Sequence, residues 1–251
     1  MKGFLTALQF LTIVPIKIKQ LDEKKIPRSM VYFPLVGLML GLILTGTDKF
    51  LYFLGFEQIV INMILIIFLI VLTGGIHLDG LADTMDALLS RKNKEDMLNI
   101  MRDSHIGVMG VLSLIGIISL KVAFLSSISI TSKSNSLIFM CVLSRWSLVL
   151  SMVLFPYARE EGKAKSFIKG VDPKIFIFST IAAIGCMAIV WKIQSLMLMG
   201  AAIISVYIIG KHIKSKISGI TGDTLGATNE LVEVIVLLGI FLLERFGLWM
   251  N

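Results

Sequence analysis

Seven apolar runs recur along the 251 residues, at about 31–54, 59–76, 107–128, 137–155, 175–191, 195–210 and 229–248. At roughly 17 to 24 residues each, and 1.5 Å of rise per helical residue, they match the ~30 Å hydrocarbon layer of a bilayer. In lipid every backbone N–H and C=O must be satisfied inside the segment, so a chain of long apolar runs folds as helices. The hydrophobic share of 56% exceeds what a soluble domain of this size needs. The expected fold class is therefore all-α: a polytopic transmembrane helical bundle of about seven spans, forming one integral membrane domain over 1–251. The fifth and sixth runs meet at Trp191-Lys192-Ile193-Gln194, which predicts a tight hairpin.

The segment from Lys2 to Ile16 is short, apolar and closed by Pro15. No small-residue cleavage pattern follows it, and Lys17 and Lys19 come next. An amphipathic or re-entrant segment is expected there in preference to a signal peptide.

Net charge is +7, and its distribution carries more than its size. With the region before residue 31 inside, 18 of the 24 Lys and Arg residues fall on the cytoplasmic side. Only Lys49, Lys133, Lys192 and Arg245 fall outside, and Lys121 and Arg145 lie within spans. This bias places the N-terminus in the cytoplasm and the C-terminus out. The implied location is the cytoplasmic (inner) membrane, with the basic surface facing anionic headgroups and anionic substrates and no role for nucleic acid. Cys141 and Cys186 lie in apolar runs and form no metal or disulfide pattern.

The unusual polar residues gather in the internal segments 77–106, 156–174 and 211–228. In the first, Asp79, Asp83 and Asp86 stand at i, i+4 and i+7, one face of a helix. Three carboxylates on one face repel unless a cation sits among them. Mg²⁺, which takes oxygen ligands and keeps substrate phosphates in its shell, is the simplest such ion. His77 falls on the opposite side. Further along, Asp103 or Ser104 is placed to cap the next span, with its amides toward an anion, and Arg102 is a natural phosphate ligand.

Lys121 and Arg145 sit deep in spans, where charge requires a partner or a polar cavity. Arg145 is expected to pair with carboxylates or a phosphate, and Arg159 to reach the same cavity. In Gly219 to Glu233, three glycines mark a turn, and Asp223 can cap, bind metal or orient a base. Asn229 and Glu233 share a face at the start of the last span, with Glu230 close by. Glu230 and Glu233 entering an apolar helix call for a metal, a basic substrate group or an ion pair with Arg145.

These blocks resemble the cobalamin synthase family, the adenosylcobinamide-GDP ribazoletransferases. The resemblance is carried by Thr73 to Asp86, Ile100 to Gly110, Leu143-Ser144-Arg145 and Gly219 to Glu233, together with Phe10 to Pro15 and Tyr32 to Gly37. It runs through the whole chain in order. His105 stands where the family more often has arginine, and Pro156 to Lys163 matches more loosely. What the resemblance implies is a Mg²⁺-dependent transferase in the cytoplasmic membrane. Its substrates would be adenosylcobinamide-GDP and alpha-ribazole or its 5′-phosphate, its products GMP and adenosylcobalamin or its 5′-phosphate.

On that expectation Asp79, Asp83 and Asp86, helped by Glu230 or Glu233, hold one or two ions. Arg102 and Arg145 stabilise the transferring phosphoryl group, with Ser104, Lys121, Arg159 and Asn229 as further substrate contacts. Asp103, Asp223 or His77 takes the proton. Rival readings are another membrane phospho- or prenyltransferase, or a cation transporter. The block Asp79-Gly80-Leu81-Ala82 is followed by Asp83 where CDP-alcohol phosphotransferases have arginine, and the acidic residues cluster on one side instead of crossing the midplane. A homo-oligomer is compatible with all of these.

Overall fold

In the computed structural model, residues 2–16, 26–159, 161–162, 164–188 and 193–249 are described. The expected hairpin around Trp191 and Lys192, and the basic residues Lys17, Lys19, Lys24, Lys25 and Lys163, lie outside them.

The described residues form helices and no extended strand. A first helix, α1 (Lys2–Leu11), buries Ala7, Leu8 and Leu11 and leaves Lys2 and Gln9 exposed, as an amphipathic segment should. A 3-10 turn, Pro27–Tyr32, leads into α2 (Phe33–Phe53). Then follow α3 (Gln58–Thr73), α4 (Ile76–Leu89), the short α5 (Lys94–Ile100), α6 (Val108–Ser127) and α7 (Ile130–Leu154). The chain closes with α8 (Lys165–Gly170), α9 (Pro173–Met187), α10 (Ile193–Ile217) and α11 (Gly222–Arg245).

Among the described residues five helices are long and apolar enough to cross a membrane: α2 with its leading turn, α6, α7, α10 and α11. The other two expected spans differ. α9 is a shorter apolar helix, and α3 breaks from α4 with a bend of 91°. Gly74 and Gly75, both left-handed at φ 64° and 69°, make that break, a conformation a side chain would strain. We read α3 as the span and α4 as a helix turned across its end.

α7 is the central post, buried along most of its length. Gly37 and Gly41 of α2 lie against its backbone; a Cβ on Gly41 would stand 2.7 Å from the Ile138 Cα, and one on Gly37 would meet the Cys141 carbonyl. Small residues four apart let two membrane helices approach closely where lipid offers no hydrophobic drive. α11 packs against α7, α4, α6 and α10. Its start is fixed by a capping box: the Thr221 hydroxyl accepts the Thr224 N–H at 3.2 Å, and the Thr224 hydroxyl accepts the Thr221 N–H at 2.8 Å. Because α11 begins at Gly222, Asn229, Glu230 and Glu233 lie two to three turns inside it instead of at its mouth.

Lys133, counted above among outer cations, is buried near the start of α7, where its Nζ meets Asp48 at 2.6 Å and Gln58 at 2.7 Å. An unpartnered charge there would be costly, and the pair removes that cost.

Candidate active site

One end of the bundle collects the start of α6, the ends of α7 and α10, the start of α11, and α4 laid across them. α4 is a regular helix, and its aspartates share one face, as the spacing predicts. Leu78, Leu81 and Met85 turn the other way and pack on Ile117 of α6 and Ala227, Leu231 and Val234 of α11. Asp79 is exposed, and Asp83 and Asp86 are half-buried.

α4 and α11 cross in near backbone contact. A Cβ on Gly80 would lie 2.6 Å from the Asp223 carbonyl oxygen, and one on Gly226 would lie 2.9 Å from that of His77. This crossing brings Asp223, from the far end of the sequence, to the aspartate face. Burial, then the charges of Asp79, Asp223 and Asp86, push the Asp83 carboxyl up to about 7, with Arg159 pulling the other way.

Arg159 is positioned by a strip of parallel backbone pairing. Ala158 N donates to Ile220 O at 2.9 Å and Ile220 N to Pro156 O at 2.8 Å, so the segment after α7 is tied to the turn before α11. The Arg159 guanidinium then meets Asp223 at 2.8 Å. Its buried Nε has no hydrogen-bond partner among the described residues, which leaves a donor for an anion. Arg102 is exposed but close enough for its charge to act on the Tyr157 hydroxyl, as those of Arg159 and Asp223 do. The Thr221 hydroxyl lies between Asp223 Oδ2 at 3.3 Å and the Met101 sulfur at 3.8 Å, where the Arg102 loop meets the start of α11.

Several expected roles change. Asp86 accepts the N–H of Gly107 at 2.7 Å and of Gly110 at 2.8 Å, one on each oxygen. The anion at the start of α6 is thus Asp86, and neither Asp103 nor Ser104 caps that helix. Gly107 is the N-cap residue, and the α4 carboxylate satisfies amides that the helix cannot. Asp103 and Ser104 stay exposed, and Asp103 holds the N–H of His105 at 3.1 Å and its Nδ1 at 2.6 Å.

Glu230 and Glu233, expected near the metal, form a buried network instead. Lys121 Nζ meets Glu230 at 2.5 Å and also Glu233, and Arg145 meets Glu233. Ser144 lies 2.8 Å from the Arg145 guanidinium, and the Asn229 amide donates to Glu233 at 3.1 Å. Two cations facing two anions make the set neutral, the condition for keeping charge in the apolar interior. Arg145, Lys121 and Asn229 therefore turn toward this network, with the Arg145 Nε and the Asn229 Oδ1 left without a hydrogen-bond partner among the described residues.

His77 is buried between α4 and α11, and burial, then Arg145, hold its pKa down to about 3. It is a neutral imidazole and a poor proton acceptor. The sequence gives Tyr157 and Thr221 no role of their own, since a parallel pairing of residues 63 positions apart leaves no local pattern.

Among the described residues no three His, Cys, Asp or Glu side chains converge as they stand on one metal position. The donor set is nonetheless of the kind Mg²⁺ uses, one or two carboxylates completed by water and substrate phosphates.

The family model described as cobalamin-5-phosphate synthase matches residues 3–241. The chain belongs to that family. Proteins named adenosylcobinamide-GDP ribazoletransferase resemble it from end to end. The one from Clostridioides difficile is 36% identical over 253 residues, covering 97% of this chain and 98% of its own. That from Clostridium novyi is 35% identical over 255 residues, covering 99% and 100%. That from Desulforamulus reducens is 33% identical over 237 residues, covering 94% of each. No solved structure matches. The aspartate face, Arg102, Arg159 and Asp223 all fall within the stretch matched to the cobalamin-5-phosphate synthase family.

Proposed function

We propose that this chain transfers the adenosylcobinamide phosphoryl group from adenosylcobinamide-GDP to alpha-ribazole or its 5′-phosphate. GMP is released, and adenosylcobalamin or its 5′-phosphate is formed. Family membership over nearly the whole chain supports the reaction. The observation that carries the site is the close crossing of Gly80 and Asp223, which sets the Asp223–Arg159 pair against the aspartate-bearing helix.

Asp79 and Asp83 would hold Mg²⁺, with Asp223 beside them and Asp86 anchoring the face to α6. The ion, when bound, neutralises the diphosphate and the departing GMP. Arg159, through its Nε, and Arg102 grip the donor phosphates and stabilise charge on the transferring group. A ribose hydroxyl of the acceptor attacks the phosphorus bound to the cobinamide. The bond from that phosphorus to the bridging oxygen breaks, and GMP leaves with the oxygen. Asp223 takes the hydroxyl proton, since His77 is buried and Asp103 is engaged with His105 in an exposed loop. We place this end of the bundle, and the N-terminus, on the cytoplasmic side of the inner membrane, as the lysine and arginine bias favours.

Purified protein in detergent, given adenosylcobinamide-GDP, alpha-ribazole and MgCl₂, should release GMP and form a cobalamin in equal amounts. No GMP release with either acceptor form would overturn the assignment, and cation flux in its place would favour a transporter.

A further inference from the structure

A cavity of about 640 Å³ opens beside Asp79, between α1, the α3–α4 corner and the start of α6. That volume lies in the range of small-ligand sites, roughly 300 to 1,000 Å³. The bare corner lets the chain leaving α1 lie directly on it: a Cβ on Gly74 would stand 2.6 Å from Ile13 Cγ2. The chain leaving α1 is pinned to that corner, with Ile13 N donating to Leu72 O at 2.9 Å.

Its walls differ from end to end. Phe10, Ile13, Ile76 and Leu114 give apolar surface, and Phe10 is braced by Phe167 at 4.3 Å between ring centroids. The polar side chains are Asp79, which belongs to the aspartate face, and Gln9, Thr12 and Thr73. The Thr12 and Thr73 hydroxyls already donate to helix carbonyls, Leu8 O at 2.6 Å and Leu69 O at 2.9 Å, so toward a ligand they serve as acceptors.

The geometry points to this cavity as the acceptor subsite, taking the apolar bicyclic base of a benzimidazole nucleoside with its ribose directed at Asp79. This rests on the transferase reading above. A dimethylbenzimidazole ring has no exocyclic hydrogen-bonding groups and suits apolar walls. The guanine of the donor carries several, which those walls would leave unpaired. The corrinoid of the donor is several times too large. The donor is thus left to the Arg102–Arg159 side of the aspartates, and the two substrates approach Asp79 and Asp83 from opposite edges.

Two variants fill the cavity from exposed positions, Ile13→Trp and Gln9→Trp. Free alpha-ribazole, whose base fluoresces, is titrated into each purified protein without donor or Mg²⁺, and turnover is measured separately. Wild type should bind it. Each variant should weaken that binding tenfold or more and raise the alpha-ribazole KM by a similar factor, with the adenosylcobinamide-GDP KM within twofold of wild type. Unchanged alpha-ribazole binding in both well-folded variants, or a rise confined to the donor KM, overturns the subsite. Wild type that binds alpha-ribazole in a manner lost in both variants, yet releases no GMP with donor present, keeps the subsite and overturns the reaction. If one variant is lost from the membrane, the other decides.

Discussion

Gly80 of α4 rests on the backbone of Asp223 at the start of α11, close enough that a Cβ would sit 2.6 Å from the Asp223 carbonyl oxygen. Because the obstacle is backbone, no side chain can swing aside. Gly80→Ala must push the two helices apart, and the aspartate face moves with α4. Overpacking of this kind costs about 1–3 kcal/mol. A displacement near 1 Å between reacting groups costs on the order of 10²-fold in rate. We expect Gly80→Ala to lower turnover about 10²-fold while the protein still inserts and melts cooperatively, measured by GMP release and thermal unfolding in detergent.

Asp83 makes stability depend on pH with an unusual sign. Its folded pKa, about 7, stands above its ordinary value of 3.8. Between those values the unfolded chain has lost a proton that the folded chain keeps. Its contribution therefore favours the unfolded state progressively as pH rises from about 4 to about 7 and levels off above. In chelator, wild type should lose melting temperature across that window more steeply than Asp83→Asn. Added Mg²⁺ should flatten the wild-type curve and leave that of the variant nearly unchanged. Equal slopes for both proteins in chelator would remove Asp83 from the cluster.

The aspartate face could be read in the sequence because it is local: a helix period decides which side Asp79, Asp83 and Asp86 share. The apolar runs that became α2, α6, α7, α10 and α11 were equally legible, while the runs at 59–76 and 175–191 gave shorter helices. What could not be read was which deep charges pair with one another. Arg145 and Glu233 are 88 positions apart, and in one dimension two glutamates entering a span look alike whether they await a metal or a lysine. Asp86 illustrates the same limit: it lies in the metal-like pattern, yet its two oxygens satisfy amides of α6, a helix whose start near Gly107 sequence could place but not orient.

Glu233 is the hub of the buried network, bound by both Lys121 and Arg145. Glu233→Ala leaves two cations facing Glu230 alone. Breaking one partner from a buried pair typically costs about 3–5 kcal/mol. The variant should therefore accumulate poorly and melt far below wild type. Glu233→Gln, which keeps the acceptor for Arg145, should fall between them. Protein that does fold should release GMP at a rate within a few-fold of wild type. A fully stable Glu233→Ala protein with turnover abolished would return this glutamate to the reaction site.

Arg159 is held to Asp223 at 2.8 Å while its Nε has no partner among the described residues, so it can keep the carboxylate in place and still offer a donor to the donor diphosphate. Only a planar guanidinium presents donors on two edges at once; an ammonium is a single point of charge. Arg159→Lys preserves the charge beside Asp223 and the aspartate face, so the Mg²⁺ concentration for half-maximal rate should stay within twofold. It loses the second edge, and removal of one such stabilising donor costs about 10²–10³ in rate. The expected result is a kcat/KM for adenosylcobinamide-GDP about 10²-fold lower, with the alpha-ribazole KM unchanged. A shift in Mg²⁺ dependence without loss of donor kcat/KM would mean that Arg159 acts only by tuning the carboxylates.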